Sequence, residues 1–418
     1  MPNEPTAAPW RGRPAPDVIV VGGGVAGTST AYRLAQDGQR VLLLERRGLA
    51  AGASGRNGGI TSSGSAMFAH SAAGRAVYAL TSRNLAMLQH LNDETGADIS
   101  LRMTGAIDVV TTPEELAHLQ VAVAAERAAG GRMELLDAAQ ARELVPALAP
   151  DVLGVAHDSG RGHLWPFAVV HAFADAARRH GAEIRTGVAV EGLLRDGDRV
   201  VGVVAAGEAI PAGNVVLATN SYTPTLLPGL PEGAIVPARG QILVTQPVPP
   251  ILPTPFGTNF DKEYGRQTAT GQLLCGGFRR DDIGEGLGTY EERVTPRVVS
   301  GIASCLTRLF PSLAHGGIRV VRAWAGIMGF TADGLPLIGP YAPAPGLWLV
   351  AGFNGGGFSW GAVVGRVMAD LVAGRDPGFD LDPFRPDRFH GAAGVVWANP
   401  FTAGERSNPD GIDALAHA

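Results

Sequence analysis

Three glycines and one acid near the start of the chain define the first chemistry it can do. Gly22, Gly24 and Gly27 stand in G-x-G-x-x-G spacing with Val25 and Ala26 between the last two, and Glu45 follows about one helix and one strand later, beside Arg46. The first glycine permits a tight turn, the second lets a pyrophosphate approach the backbone, and the third lets a helix pack closely on a strand. An acid at the end of the next strand can accept ribose hydroxyls. Such a set binds a dinucleotide; the glycine spacing alone would equally suit a structural turn in an ordinary α/β unit.

The flanking residues supply the elements that must hold this set. Residues 18–21 are a β-branched run fit for a buried parallel strand, Ala31, Leu34 and Ala35 continue one face of a helix that ends at Gly38, and 41–44 form the second strand. The helix N-terminus then faces the phosphates. Directly after the second strand, residues 50–60 (AAGASGRNGGI) form a small-residue loop with Ser54, Arg56 and Asn57, able to pass close to a flat ligand. A second glycine corner lies far away, where 347–351 reads as a strand, 354–357 as a glycine turn and 358–372 as a helix. The N-terminal charge of that helix would favour an anionic ring beside it.

Composition narrows the options further. At 418 residues and 45% hydrophobic content the chain can bury a sizeable core in two or three domains, and a net charge of −5 argues against a nucleic-acid partner. Cys275 and Cys305 are too few for a disulfide framework, which points to a reducing, cytoplasmic setting. No apolar run is long enough for an integral membrane segment. Lys262 is the sole lysine, so there is no G-K-[ST] phosphate loop, and the ten histidines show no metal-ligand spacing. No metal site is expected.

Along the rest of the chain, residues 1–16 read as a disordered tail, 154–166 as a polar loop carrying His163 and Trp165, and 169–180 as an amphipathic helix. Strands follow at 184–190, 200–205 and 214–218, then at 240–245 and 273–278. The fold class is therefore α/β (α+β): a Rossmann-like domain with a parallel sheet, plus a discontinuous second domain with a mixed, largely antiparallel sheet. The expected division assigns 17–95, 150–225 and 321–375 to the cofactor domain, 96–149 and 226–320 to a substrate domain, and 376–418 to a C-terminal extension.

Together, DVIVVGGGVAGTSTAYRLAQDGQRVLLLE, GASGRNGG (52–59), VLATNSYTP (216–224), PARGQ (237–241) and WAGIMGFTADGLPLIG (324–339) resemble the D-amino-acid oxidase superfamily of FAD-dependent oxidoreductases. GASGRNGG and LATNSYT look most like its γ-glutamylputrescine oxidase branch. The resemblance implies FAD, with Gly22, Gly24, Val25, Ala26, Gly27, Glu45 and Arg46 at the AMP half. Ala53, Ser54, Arg56, Asn57, Gly58 and Gly59 would run past the pyrophosphate onto the isoalloxazine. Val188 would meet the adenine, and Gly326, Gly352, Asn354, Gly355, Gly356, Gly357 and Phe358 would face the flavin. Glycine and D-amino-acid oxidases carry a carboxylate-binding arginine where this chain has Met328, and Arg322 is the alternative. The cysteine that attaches flavin in sarcosine oxidase falls on Gly326, and the attaching histidine of dimethylglycine dehydrogenase relatives falls on Arg56, so the FAD should be noncovalent. The oxygen-activating lysine of sarcosine oxidase corresponds to Leu274.

The implied reaction is oxidation of a primary or secondary amine by hydride transfer to flavin, giving an imine that hydrolyses, with O2 as acceptor and H2O2 as product. Trp324, Met328, Phe353, Arg322 and His163, with Phe330, Trp360 and Trp165, are the candidate substrate contacts, in a pocket expected to be apolar. The alternatives are a dehydrogenase passing electrons to another carrier, a glycine or D-amino-acid oxidase, and a flavin-binding protein without turnover.

Overall fold

A computed structural model describes residues 10, 14–258 and 263–390 of the chain. Its first sheet has six strands in the order Leu337–Pro340, Leu347–Ala351, Asn214–Leu217, Val18–Val21, Val41–Glu45, Glu183–Thr186. All neighbours are parallel except the antiparallel edge strand Leu337–Pro340. Val18–Val21 is fully covered, as its uninterrupted β-branched run requires. Val21 pairs with both Leu44 and Leu217, so the chain leaves three adjacent strands at one edge, at Gly22, at Glu45 and at Ala218. Ligands of open α/β sheets bind at this carboxyl edge.

Three helices cover one face: Val25–Gln36 lies between Pro166–Arg179 and Gly361–Val372. Gly361 and Gly365 make the last contact possible, because a Cβ on either would collide with Val25 or Ser29. The Ser29 hydroxyl donates to the Ala362 carbonyl at 3.2 Å. This glycine notch sets the N-terminal ends of the two helices side by side, joining corners that are more than three hundred residues apart in sequence.

The second sheet has eight strands, in the order Val320–Thr331, Ile235–Pro247, Gln272–Gly276, Tyr264–Gln267, Phe256–Thr258, Ala106–Val110, Gly154–Asp158, Met133–Asp137. Its pairings are antiparallel except Phe256–Thr258 with Ala106–Val110. The longest pair sets Gly240 opposite Gly326 and Ala238 opposite Met328, which brings PARGQ against WAGIMG. Phe256, Phe310, Ile302 and Leu306 fill the space between this sheet and helix Pro296–Leu309.

Several expectations change. Residues 154–166 are not one loop: Gly154–Asp158 pairs with two strands of the second sheet, and Arg161–His163 pairs with Ile60–Ser62. The closing helix begins at Gly361, after a short 3-10 turn at Gly357–Ser359. Within the expected tail, Trp10 is buried, donates its backbone N–H to the Glu208 carboxylate at 2.8 Å and lies under Arg185. Residues 1–9 and 11–13, Lys262 and residues 391–418 lie outside the described residues. We propose the domain division expected above, with Gly154–Asp158 and Val320–Thr331 moved to the second domain because their hydrogen bonds are made there.

Candidate functional site

One cavity of about 650 Å³ runs along the carboxyl edge of the first sheet into the second. At one end stand Val188, Val190, Tyr222 and Leu226; at the other, Met328, Phe353, Phe358 and Tyr264.

The first corner is built on backbone geometry. Gly22 has φ +112, a conformation that glycine adopts without strain, and a Cβ on Gly27 would collide with the Gly22 carbonyl oxygen. Gly22, Gly24, Val25 and Ala26 line the cavity, whereas Gly27 lies behind it as a packing residue. Glu45 accepts from the Gly23 N–H at 2.7 Å and from the Arg47 N–H at 2.8 Å, which fixes its carboxylate at the cavity wall. A carboxylate offers about four acceptor positions, so capacity remains for ribose hydroxyls. Arg46 stacks on the Tyr222 ring at 3.8 Å, and the Val188 N–H donates to the Glu45 carbonyl at 2.9 Å.

The loop after the second strand crosses the helix N-terminus. Ser54 Oγ accepts from the Val25 N–H at 3.0 Å, and Ala53, Ser54, Arg56, Asn57, Gly58 and Gly59 all line the cavity. Asn57 folds the loop on itself, donating to the Ala53 and Ser54 carbonyls and accepting from the Gly59 N–H. The Arg56 side chain turns away: it donates to the Ala51 and Ala325 carbonyls and meets Glu292 at 3.0 Å. Gly326 has to be small at this point, since its Cβ would come within 2.9 Å of Arg56 Cβ.

The second corner is held by three asparagines. Asn354, at φ +51, accepts from the Thr331 N–H and donates to the Gly334 and Gly352 carbonyls. Asn220 accepts from the Gly352 N–H at 2.9 Å. Asn84, fully buried, donates to the Phe358 carbonyl at 2.9 Å and accepts from the N–H groups of Ala362 and Val363. Asn84 therefore takes up two N–H groups in the first turn of helix Gly361–Val372, and the cavity side is left to the preceding turn: Asn354, Gly355, Gly356, Gly357 and Phe358 line it. Gly352 does not line the cavity; it is small because a Cβ would meet Thr331 Cγ2 at 2.5 Å.

Of the candidate substrate contacts, Met328 and Phe353 line the cavity. Trp324 stands behind it, its indole N–H donating to the Arg56 carbonyl at 3.3 Å. Arg322 is exposed at the start of its strand, beyond the cavity, near the Trp324 ring. His163 lies in the two-stranded sheet, also outside the cavity lining; burial, with Arg266 and Arg102 nearby, pulls its pKa down to about 4. Trp165 is half exposed against Phe167, and Trp360 is buried in the core against Phe353 and Phe384. Phe330 sits behind Met328 and Gly355.

The cavity also carries polar and charged groups that the sequence reading did not nominate. Asp108, Arg161, Glu263, Tyr264 and Arg279 line it: Asp108 and Tyr264 stand on strands of the second sheet, Glu263 and Arg279 in segments next to its strands, and Arg161 in the two-stranded sheet. Arg161 and Asp108 pair at 2.8 Å, and Glu263 accepts from the Thr258 hydroxyl. Burial raises the Tyr264 phenol to about 12, so it stays a neutral donor. No local pattern marks these five; only strand register places them together. The glycine cradle, the pinned acid at its edge and the continuous cavity fit FAD, a dinucleotide with a long flat ring.

Comparison with known proteins agrees. Glycine oxidase of Geobacillus kaustophilus (strain HTA426) is 30% identical over 386 residues, spanning 91% of this chain and 98% of that protein. Sarcosine oxidase subunit beta of an Arthrobacter species is 29% identical over 401 residues, spanning 91% of this chain and 94% of that protein. The crystal structure of glycine oxidase from Geobacillus kaustophilus superposes with a TM-score of 0.80 at 27% identity, covering 89% of this chain and 98% of that one. The family model for FAD dependent oxidoreductases, DAO, matches residues 17–371. With that match across both glycine corners and the cavity between them, the chain belongs to the DAO family of FAD-dependent oxidoreductases.

Proposed function

We propose that this FAD-dependent oxidoreductase of amines or amino acids oxidises a primary or secondary amine, with O2 as acceptor and H2O2 as product. The observation that carries the reading is the single cavity linking the dinucleotide corner to a chamber walled by Met328, Phe353, Tyr264 and Arg279. Bound FAD would supply the two-electron chemistry, taking a hydride from the carbon that bears nitrogen. The chain's own contribution is placement. Gly22, Gly24 and Glu45 would hold the AMP half, the 53–59 loop would pass the pyrophosphate, and Gly355 to Phe358 would bound the ring. FAD is held noncovalently, in keeping with a glycine at 326 and an arginine at 56 where relatives with attached flavin carry cysteine or histidine.

No general base is assigned. A substrate entering as the free amine needs none, and His163 lies outside the cavity lining. The imine product would hydrolyse in water after release. Placement in the γ-glutamylputrescine oxidase branch rests on GASGRNGG and LATNSYT, and a cytoplasmic setting on the two buried free cysteines.

Anaerobic mixing of the purified yellow protein with a panel of amines and amino acids tests the reaction: the expected result is loss of the flavin's visible absorbance with at least one member. If no member reduces the flavin, the proposal falls. Peroxide formed on admitting air supports O2 as acceptor; reduced flavin that persists in air but is reoxidised by a quinone favours a dehydrogenase.

A further inference from the structure

We propose that the buried Arg266 guanidinium sets the reduction potential of bound FAD, its positive charge favouring the anionic reduced ring from behind the Gly58 backbone. This role requires bound FAD and is independent of which substrate is oxidised.

Arg266 stands on the strand Tyr264–Gln267, inside the second sheet, and is 6% exposed. Tyr264 and Arg266 are two residues apart and so project from the same face of that strand. Tyr264 lines the cavity, whereas Arg266 lies behind the lining, its Nε–H donating to the Gly58 carbonyl at 2.6 Å. Leu274, directly opposite Arg266 in the register, gives it an apolar neighbour on that face. Among the described residues no carboxylate pairs with Arg266, and burial alone lowers its pKa from the usual arginine value; the group stays charged all the same. Other buried arginines carry their counter-charge with them, as Arg239 does with Asp282 at 2.7 Å. A buried cation without one is costly to the fold, and a ligand that brings negative charge relieves that cost.

The stretch that Arg266 grips belongs to the end of the cavity bounded by the second glycine corner. Gly58 packs on Tyr264, since a Cβ there would lie 2.8 Å from Tyr264 Cε2, and farther along the Thr61 hydroxyl donates to the Phe358 carbonyl at 3.3 Å. Gly58, Tyr264 and Phe358 line the cavity together. An oxidised flavin ring is neutral and its two-electron reduced form is an anion, so a fixed cation at this end stabilises the reduced form and leaves the oxidised one nearly untouched. The low dielectric of the wall lets that charge act across the intervening peptide. His163 senses the same cation: burial, then Arg266 and Arg102, pull its pKa down to about 4, so the imidazole stays neutral and adds no further charge.

The test needs no substrate. The FAD-loaded protein is reduced with dithionite beside a reference dye to give the flavin potential, and sulfite, which adds to the oxidised ring to leave an anionic adduct, is titrated separately by loss of visible absorbance. Because Arg266 lies outside the cavity lining, sulfite reads its charge without touching it. Arg266→Gln is expected to lower the two-electron reduction equilibrium constant about thirtyfold, about 44 mV at about 29.6 mV per tenfold, and to weaken sulfite by a similar factor. Arg266→Lys, which keeps the charge, is expected to stay within about threefold of wild type on both measurements. Values for Arg266→Gln within about threefold of wild type overturn the proposal, as does an Arg266→Lys that falls as far as Arg266→Gln, since the bond to Gly58 and not the charge would then be responsible. Weaker FAD binding with an unchanged potential puts the charge at the pyrophosphate and also overturns it. Should Arg266→Gln fail to retain FAD, Arg266→Met takes its place under the same limits. If both lose the cofactor, Arg266→Lys decides: a wild-type potential supports the proposal and a lowered one overturns it. A failed amine panel leaves these measurements standing.

Discussion

Glu292 meets Arg47 at 2.7 Å, joining the loop before helix Pro296–Leu309 to the end of the second strand of the Rossmann-like sheet. The same carboxylate reaches Arg56 at 3.0 Å, and two residues earlier Tyr290 packs on Tyr222 and donates to the Ser221 carbonyl at 2.9 Å. The 290–292 segment thus straps the cavity wall at Arg47, Arg56 and Tyr222. Glu292→Gln keeps the shape and removes the charge. It should weaken FAD binding about tenfold, roughly 1.4 kcal/mol, measured by titrating apoprotein with FAD; an unchanged affinity would show that the strap is not part of the cofactor site.

Gly27 packs directly on the Gly22 carbonyl, whereas Gly48 has no neighbour where a Cβ would stand. Gly27→Ala should destabilise the protein by about 1–3 kcal/mol through overpacking and lower the FAD recovered per chain. Gly48→Ala should stay within about 0.5 kcal/mol of wild type with full FAD. Thermal unfolding and the ratio of flavin to protein absorbance check both.

Asn84 satisfies three backbone groups with one buried side chain. Asn84→Ala leaves them without that partner and should cost about 2–4 kcal/mol. Because the Phe358 carbonyl is one of those groups, FAD should also dissociate faster, readable by stopped-flow capture of released flavin. Full stability with normal FAD release would rule out this role.

His163 has a depressed pKa, about 4 when folded against an ordinary 6.5, caused first by burial and then by Arg266 and Arg102. The unfolded chain therefore binds the proton more readily than the folded one between these values. Stability is fully present above pH 6.5 and declines as pH falls toward 4, by at most about 3 kcal/mol. Asp158, raised by burial, works in the opposite direction, so the contribution is read as a difference. Urea midpoints for His163→Gln should fall less steeply over this window than those of wild type; parallel curves would show that His163 is not responsible.

Much of the cofactor corner is legible in the sequence because it is a local demand on the backbone. A turn at φ +112 and a helix packed on its own preceding strand require glycine at fixed spacing, and glycine is visible in the sequence. The substrate chamber is different. Trp324 and Arg322 share a strand face with Gly326 and Met328, yet only the last two reach the cavity, because the strand runs past its edge. Asn84, Glu292, Tyr264 and Arg279 carry no local signature; each reaches the site through strand register or helix packing with partners far away in the chain.

The residue pattern by itself therefore determined that this protein folds around a dinucleotide and where the two glycine corners lie, since both follow from conformations that few residue types tolerate. Only the tertiary structure decided which side chains wall the chamber between them. The reason is that pairing Ile235–Pro247 with Val320–Thr331 in one register out of several selects the neighbours, and a shift of one residue would turn Met328 to the other face of its sheet.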